Sequence, residues 1–160
     1  MTTLGAGVVR ELRERPQGTG LRVGIVAARY NAMLVQHMID GAHEALLDAG
    51  VKDEDIVLVR VPGAFELPAA VRRLADTGQL HAVVALGVVL RGETYHFEVV
   101  ADACAQGLQQ VALQGKVGIG FGVLTVDTIE QGLARAGLKQ NKGQEAALTA
   151  LEMARLLTTI

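Results

Sequence analysis

The sequence has 160 residues, 50% of them apolar, with a formal net charge of −2 and one cysteine. That length and apolar content suit one domain spanning residues 1–160 with a full core. The near-neutral charge offers no electrostatic footprint for nucleic acid and no basic face for a membrane surface, and one cysteine excludes an internal disulfide. The longest apolar runs are strand-sized, so no membrane span is expected, and the first residues lack a signal-peptide apolar core. The protein therefore reads as cytoplasmic.

Met1 to Gly20 is polar, and Pro16 with the Gly18-Thr19-Gly20 turn sets it apart as an added strand or an arm. Val23 to Ala28 reads as the first strand and Arg29-Tyr30-Asn31 as a loop. Leu34, Val35, Met38, Ile39, Ala42, Leu46 and Ala49 then recur at helical spacing up to the stop at Gly50. Asp55 to Val61 is the second strand, broken by Pro62-Gly63. Leu67, Val71 and Leu74 mark the next helix, with Pro68 in its first turn, where the missing N–H costs nothing.

Ala82 to Leu90 is an unbroken apolar run, the mark of a buried parallel strand. It meets the turn Arg91-Gly92-Glu93-Thr94, and Phe97, Val100, Cys104, Leu108 and Val111 at once set up a helix to about Leu113. Val117 to Leu124 is the fourth strand, whose Gly118, Gly120 and Gly122 let other groups approach the backbone closely. Asp127 to Glu130 reads as a capping box for a short helix ending at Gly137. After a polar loop, Leu138 to Gly143, the residues Ala147, Leu148, Leu151 and Leu157 mark the last helix. Strand and helix alternating in this way predict an α/β three-layer sandwich, a parallel sheet of order 2-1-3-4 with helices on both faces and right-handed crossovers.

In such a sheet, ligands bind outside the carboxyl ends of the strands. The turn after Leu90 delivers a loop to a helix N-terminus with His96 in its first turn, which suits an anion and a proton-transfer group, or is a plain βα turn with a surface histidine. With two tyrosines, three phenylalanines and no tryptophan, aromatic positions carry information. Tyr30, Phe65, Tyr95 and Phe97 follow strands and Phe121 lies within one, so they either hold a flat heterocycle by stacking or plug the strand ends. The polar groups expected at that rim are Asn31, Glu66, Thr94 and His96, with Arg135, Lys139, Lys142 and Glu145 from the last part of the chain. The strand ends lack the acids of a phosphoacceptor receiver and the hydroxyl-rich phosphate loop of a flavodoxin. No P-loop or dinucleotide fingerprint follows a strand, and the histidines and cysteine lack metal spacing.

The segments Val61 to Pro68, Leu86 to Glu98, Phe121 to Thr125, Glu130-Gln131, Arg135-Ala136-Gly137 and Asn141-Lys142-Gly143 resemble the 6,7-dimethyl-8-ribityllumazine synthase family, from about Leu21 to the C-terminus. The resemblance implies a flavodoxin-like fold with an added N-terminal strand, assembled as homopentamers that in many members form a sixty-subunit shell, with riboflavin synthase as a further partner. It implies the condensation of 5-amino-6-(D-ribitylamino)uracil with 3,4-dihydroxy-2-butanone 4-phosphate, the penultimate step of riboflavin biosynthesis, with no metal or organic cofactor. By the same resemblance Tyr30 stacks on the pyrimidine, Asn31, Ala64, Phe65 and Glu66 face its polar groups, and Val88, Val89 and Leu90 line the pocket. Gly92, Glu93 and Thr94 hold the phosphate and His96 transfers protons. Phe121, Arg135, Lys142 and Glu145 then come from the neighbouring subunit, with Arg135 on the phosphate.

The chemistry suits that equipment, since imine formation, phosphate loss after enolisation and ring closure are proton shifts and positioning problems. Glu93 stands where the family usually has a small or neutral residue, so its side chain is expected to turn away and leave its N–H at the site. The linker from Leu138 to Asn141 lacks a glycine that shell-forming members often carry. The competing readings are a weakly active paralogue acting as a flavin- or lumazine-binding assembly protein, and a generic α/β ligand-binding module. Keeping both His96 and Arg135 favours the enzyme.

Overall fold

The computed structural model describes residues 2–4 and 7–160. In chain order its elements are β1 (Thr2–Leu4), β2 (Gly7–Val9), β3 (Val23–Ala28), α1 (Ala32–Asp48), β4 (Ile56–Val61), α2 (Leu67–Asp76), β5 (Ala82–Leu90), α3 (His96–Leu113), β6 (Gly118–Val126), α4 (Ile129–Arg135) and α5 (Lys142–Thr159). The strands β4-β3-β5-β6 form one sheet in that order, all parallel, which is the 2-1-3-4 order expected of this α/β class. The residues at the N-terminus pair with each other instead, Thr2 opposite Val9 and Leu4 opposite Gly7, in a separate antiparallel ladder.

The two central strands, β3 and β5, are apolar throughout, because only residues without polar side chains tolerate cover on both faces. Alternation sorts them. Val23, Ile25, Ala27, Val84 and Leu86 pack with α1 and α5, while Val26, Ala28, Val83 and Ala85 pack with α2 and α3. Pro68 lies in the first turn of α2, as the sequence requires.

Strand β6 shows why its glycines are there. A Cβ on Gly118 would fall 2.2 Å from the Ala150 carbonyl oxygen, and one on Gly120 would fall 2.1 Å from that of Ala146, so α5 lies with its backbone directly on the strand. The groups that approach these glycines belong to the chain's own last helix. Phe121, next to Gly120, faces the other way, toward Ala105 and Leu108 of α3.

Three boundaries differ from those expected. β6 continues past Leu124 to Val126, which pairs with Leu90. The cap of α4 is shifted by one residue: Thr128 accepts from the Gln131 N–H at 3.2 Å, and Gln131 Oε1 accepts from the Asp127 N–H at 2.8 Å. Helix α5 begins at Lys142 behind the N-cap Asn141, which accepts from the Gln144 N–H at 3.1 Å. Gly143, expected in the loop, is therefore inside the helix; a Cβ there would sit 2.0 Å from the Met38 carbonyl oxygen of α1.

Candidate active site

The loops after β3, β4 and β5 meet at the carboxyl edge of the sheet. The first two are stitched together by backbone: the Arg29 N–H donates to the Val61 and Pro62 carbonyls at 2.9 and 3.1 Å, and the Tyr30 N–H to Pro62 at 3.2 Å. Asn31 holds a left-handed conformation, φ 58°, where asparagine is among the better tolerated residues. Its side chain does not cap α1. Its Nδ2 donates across to the Val88 carbonyl at 2.9 Å. The β3–β5 ladder stops at Ala27–Leu86, so on that side Val88 has no strand to bond, and Asn31 supplies the donor.

Gly63 makes the seat for Tyr30, since a Cβ there would lie 2.7 Å from the Tyr30 ring. Its N–H donates to Glu66 Oε2 at 3.0 Å and fixes that carboxylate against the loop. The result is a cleft of about 520 Å³ lined by Tyr30, Asn31, Gly63, Ala64, Phe65, Glu66, Val88, Val89, Leu90, His96, Val99 and Val100. Its volume is that of a site for one small organic ligand. Tyr30 and Phe65 are 68% and 60% exposed, large apolar surfaces left open where a flat ligand would cover them.

His96 opens α3 at the mouth of this cleft, and its N–H donates to Thr94 Oγ1 at 3.3 Å. The N-cap residue, Tyr95, provides no side-chain cap, so the positive end of an 18-residue helix faces the turn carrying Gly92, Glu93 and Thr94. Those three residues are exposed and flank the cleft without lining it.

At the root of the turn stands Arg91, which sequence reasoning missed. Its N–H donates to the Val126 carbonyl at 2.9 Å, its Nε donates to Asp127 Oδ1 at 2.6 Å, and its Nη1 donates to Glu98 Oε1. The guanidinium also lies over the Phe97 ring, 4.3 Å from its centre. The hydrogen bond from Arg91 holds the Glu98 carboxyl below the usual carboxylate range and, reciprocally, raises Arg91. The available signal was an arginine ending a buried strand with an acid on the next helix.

The remaining expected residues lie outside this cleft. Phe121 is on the α3 face of β6, Arg135 ends α4 with its Nη1 donating to the Gln131 carbonyl at 2.9 Å, and Lys142 pairs with Glu145 at 3.8 Å at the start of α5. Lys139 is exposed in the loop between α4 and α5. Of the aromatic residues, Tyr30 and Phe65 line the cleft, Tyr95 is exposed beside it, and Phe97 is taken up beneath Arg91.

The family model described as 6,7-dimethyl-8-ribityllumazine synthase matches residues 20–158. The chain is 51% identical over 140 residues to the 6,7-dimethyl-8-ribityllumazine synthase of Anaeromyxobacter sp. (strain Fw109-5), covering 87% of this chain and 86% of that relative. It is also 51% identical over 137 residues to the protein of the same name from Halorhodospira halophila (strain DSM 244 / SL1), covering 85% and 88%. The chain belongs to the 6,7-dimethyl-8-ribityllumazine synthase family. As a lumazine synthase it is a transferase of riboflavin biosynthesis that joins 5-amino-6-(D-ribitylamino)uracil to 3,4-dihydroxy-2-butanone 4-phosphate, giving 6,7-dimethyl-8-ribityllumazine, phosphate and water. Among the described residues, no helix is long and apolar enough to cross a membrane.

Proposed function

We propose that the cleft is the lumazine synthase active site, that Tyr30 and Phe65 hold the pyrimidine ring, and that His96 moves the protons of the condensation. Asn31, Ala64 and Glu66 meet the polar edge and the ribityl chain, with Val88, Val89 and Leu90 beneath. Gly92, Glu93 and Thr94 take the phosphate at the open end of α3, where helix N–H groups favour a dianion. His96 then serves imine formation, enolisation with loss of phosphate, and the closing dehydration in turn. The other groups keep two reactants in register.

The observation that supports this reading most is that three separate strand ends put exposed aromatic faces, a pinned carboxylate and a histidine around one 520 Å³ cleft. Arg135, Lys142 and Glu145, with Phe121, lie outside the cleft of their own chain. We assign them to the site of a neighbouring subunit in a homopentamer, a heterologous contact that closes into a ring. A larger shell, riboflavin synthase as a partner and cytoplasmic location belong to the same proposal. Mixing the purified protein with both substrates should raise absorbance at the lumazine's near-visible band, and His96→Ala should slow that rise. A histidine variant as fast as the parent removes His96 from the mechanism.

A further inference from the structure

The turn from Arg91 to His96 is exposed at every residue, and a Cβ on Gly92 would meet nothing within 4 Å. A turn so placed, left to itself, would be the most mobile part of the site. Yet it carries the groups proposed to hold the phosphate, and it sets where α3 begins and hence where His96 stands.

We propose that Arg91 is a positioning residue, which clamps this phosphate turn to the first turn of α3 and to the β6–α4 corner without touching the substrate. The inference rests on the site reading above. Its geometry uses each part of the side chain. Nε reaches Asp127 at 2.6 Å, Nη1 reaches Glu98, and the planar face lies over Phe97, so three contacts from two places, the β6–α4 corner and the first turn of α3, converge on one group. A lysine has neither the fork nor the plane to do this. Glu98 deepens the dependence, because its Oε2 is buried without a partner. With Arg91 gone, that partly exposed carboxylate would lose the counter-charge and the hydrogen bond that fix it. It would move, and His96 and Phe97 lie in the same turn of helix. Asp127 extends the clamp, since its N–H is bonded by Gln131 and the Gln131 carbonyl accepts from Arg135.

Steady-state kinetics of Arg91→Met, Arg91→Lys, Asp127→Asn and Glu98→Gln test this, with KM measured for each substrate separately. Arg91→Met should raise KM for the butanone phosphate by about tenfold or more, the scale of a misplaced reacting group. Arg91→Lys should fall between it and the parent. KM for the pyrimidine amine should stay within about twofold, because Tyr30, Phe65 and Glu66 sit on other loops. The two acid variants decide between a clamp and a direct phosphate ligand. If Arg91 only positions, freeing it from Asp127 or Glu98 loosens the turn and raises the same KM; if it binds phosphate itself, freeing it lowers that KM, and the proposal is overturned. Equal changes in both KM values, or a loss of kcat alone that follows melting temperature, also overturn it. Thr94→Ala separates the two layers of inference. If it leaves KM for the butanone phosphate unchanged, the phosphate site has been misread; if it raises that KM while Arg91→Met does not, the site stands and the clamp falls.

Discussion

Asn31 is the residue whose replacement can be worked through most completely. Two effects meet there: a left-handed backbone, φ 58° and ψ 49°, and an amide donating to the Val88 carbonyl at 2.9 Å. Asn31→Gly removes the hydrogen bond and keeps the backbone free, a loss of about 1 kcal/mol. Asn31→Ala removes the bond and, unlike glycine, keeps a Cβ in the left-handed region without the polar side chain that lets asparagine tolerate it, about 1–2 kcal/mol more than Asn31→Gly. Asn31→Asp keeps the shape but turns an acceptor on an acceptor, which should cost about 1–3 kcal/mol. With a urea slope of about 2 kcal/mol per M, each kcal/mol moves the unfolding midpoint by about 0.5 M. The midpoints should therefore fall in the order parent, Gly, Ala, measured at one protein concentration so that assembly does not shift them. If Gly and Ala are equally destabilised, the left-handed backbone is not a constraint. If Asp matches the parent, the bond to Val88 does not matter, and the account of how β5 is finished fails.

Other outcomes follow from the same structure. His96→Ala should slow turnover by about 10- to 1000-fold while a lumazine analogue still binds, because positioning survives; loss of analogue binding would give His96 a binding role instead. Tyr30→Ala should weaken analogue binding by about 1–3 kcal/mol and Tyr30→Phe should restore most of it, whereas normal affinity in Tyr30→Ala would remove the stacking platform. Gly120→Ala should destabilise by about 1–3 kcal/mol or more, since the atom it meets is the Ala146 carbonyl rather than a side chain that can yield; an unchanged urea midpoint refutes the contact. Burial pushes the Cys104 thiol up to about 11, so a thiol reagent at mildly alkaline pH should label it only after unfolding, and stoichiometric labelling of the native protein would contradict its place on the buried face of α3. Co-assembling His96→Ala with Arg135→Ala subunits should regain part of the activity that each lacks alone, and verified mixed assemblies as inactive as either parent would place both residues in one subunit's site.

The sheet was legible because its two signals do not overlap. Ala82 to Leu90 offers no helical period and β3 is bounded by turn residues, while the stripes of α1 and α3 have one clear spacing. The cap of α4 was misplaced because Asp127 and Thr128 are both good caps. Asp127 is spent on Arg91, a partner far away in sequence, and Thr128 with Gln131 takes the capping role. Gly143 was read as loop because glycine usually stops a helix. Here it starts one, at the point where α5 crosses the Met38 carbonyl. The lining of the cleft was legible from strand ends, but Arg91 was not, since its partners Glu98 and Asp127 share no period with it. Phe121, Arg135, Lys142 and Glu145 were expected at the same rim; a single chain keeps them apart, because α4 and the start of α5 follow the far edge strand.

The backbone contact between β6 and α5 bears on how the protein opens. Where side chains separate two elements, one can slip while the other holds. With Gly118 and Gly120 against the carbonyls of Ala150 and Ala146, no such cushion exists. Strand and helix should exchange their amide protons as one cooperative unit, with matching opening free energies. Helix α4, between them in the chain, is tethered at both ends to that unit. Arg135 is thus carried by a corner that should open together with that unit, its side chain held to its own helix by the bond to the Gln131 carbonyl.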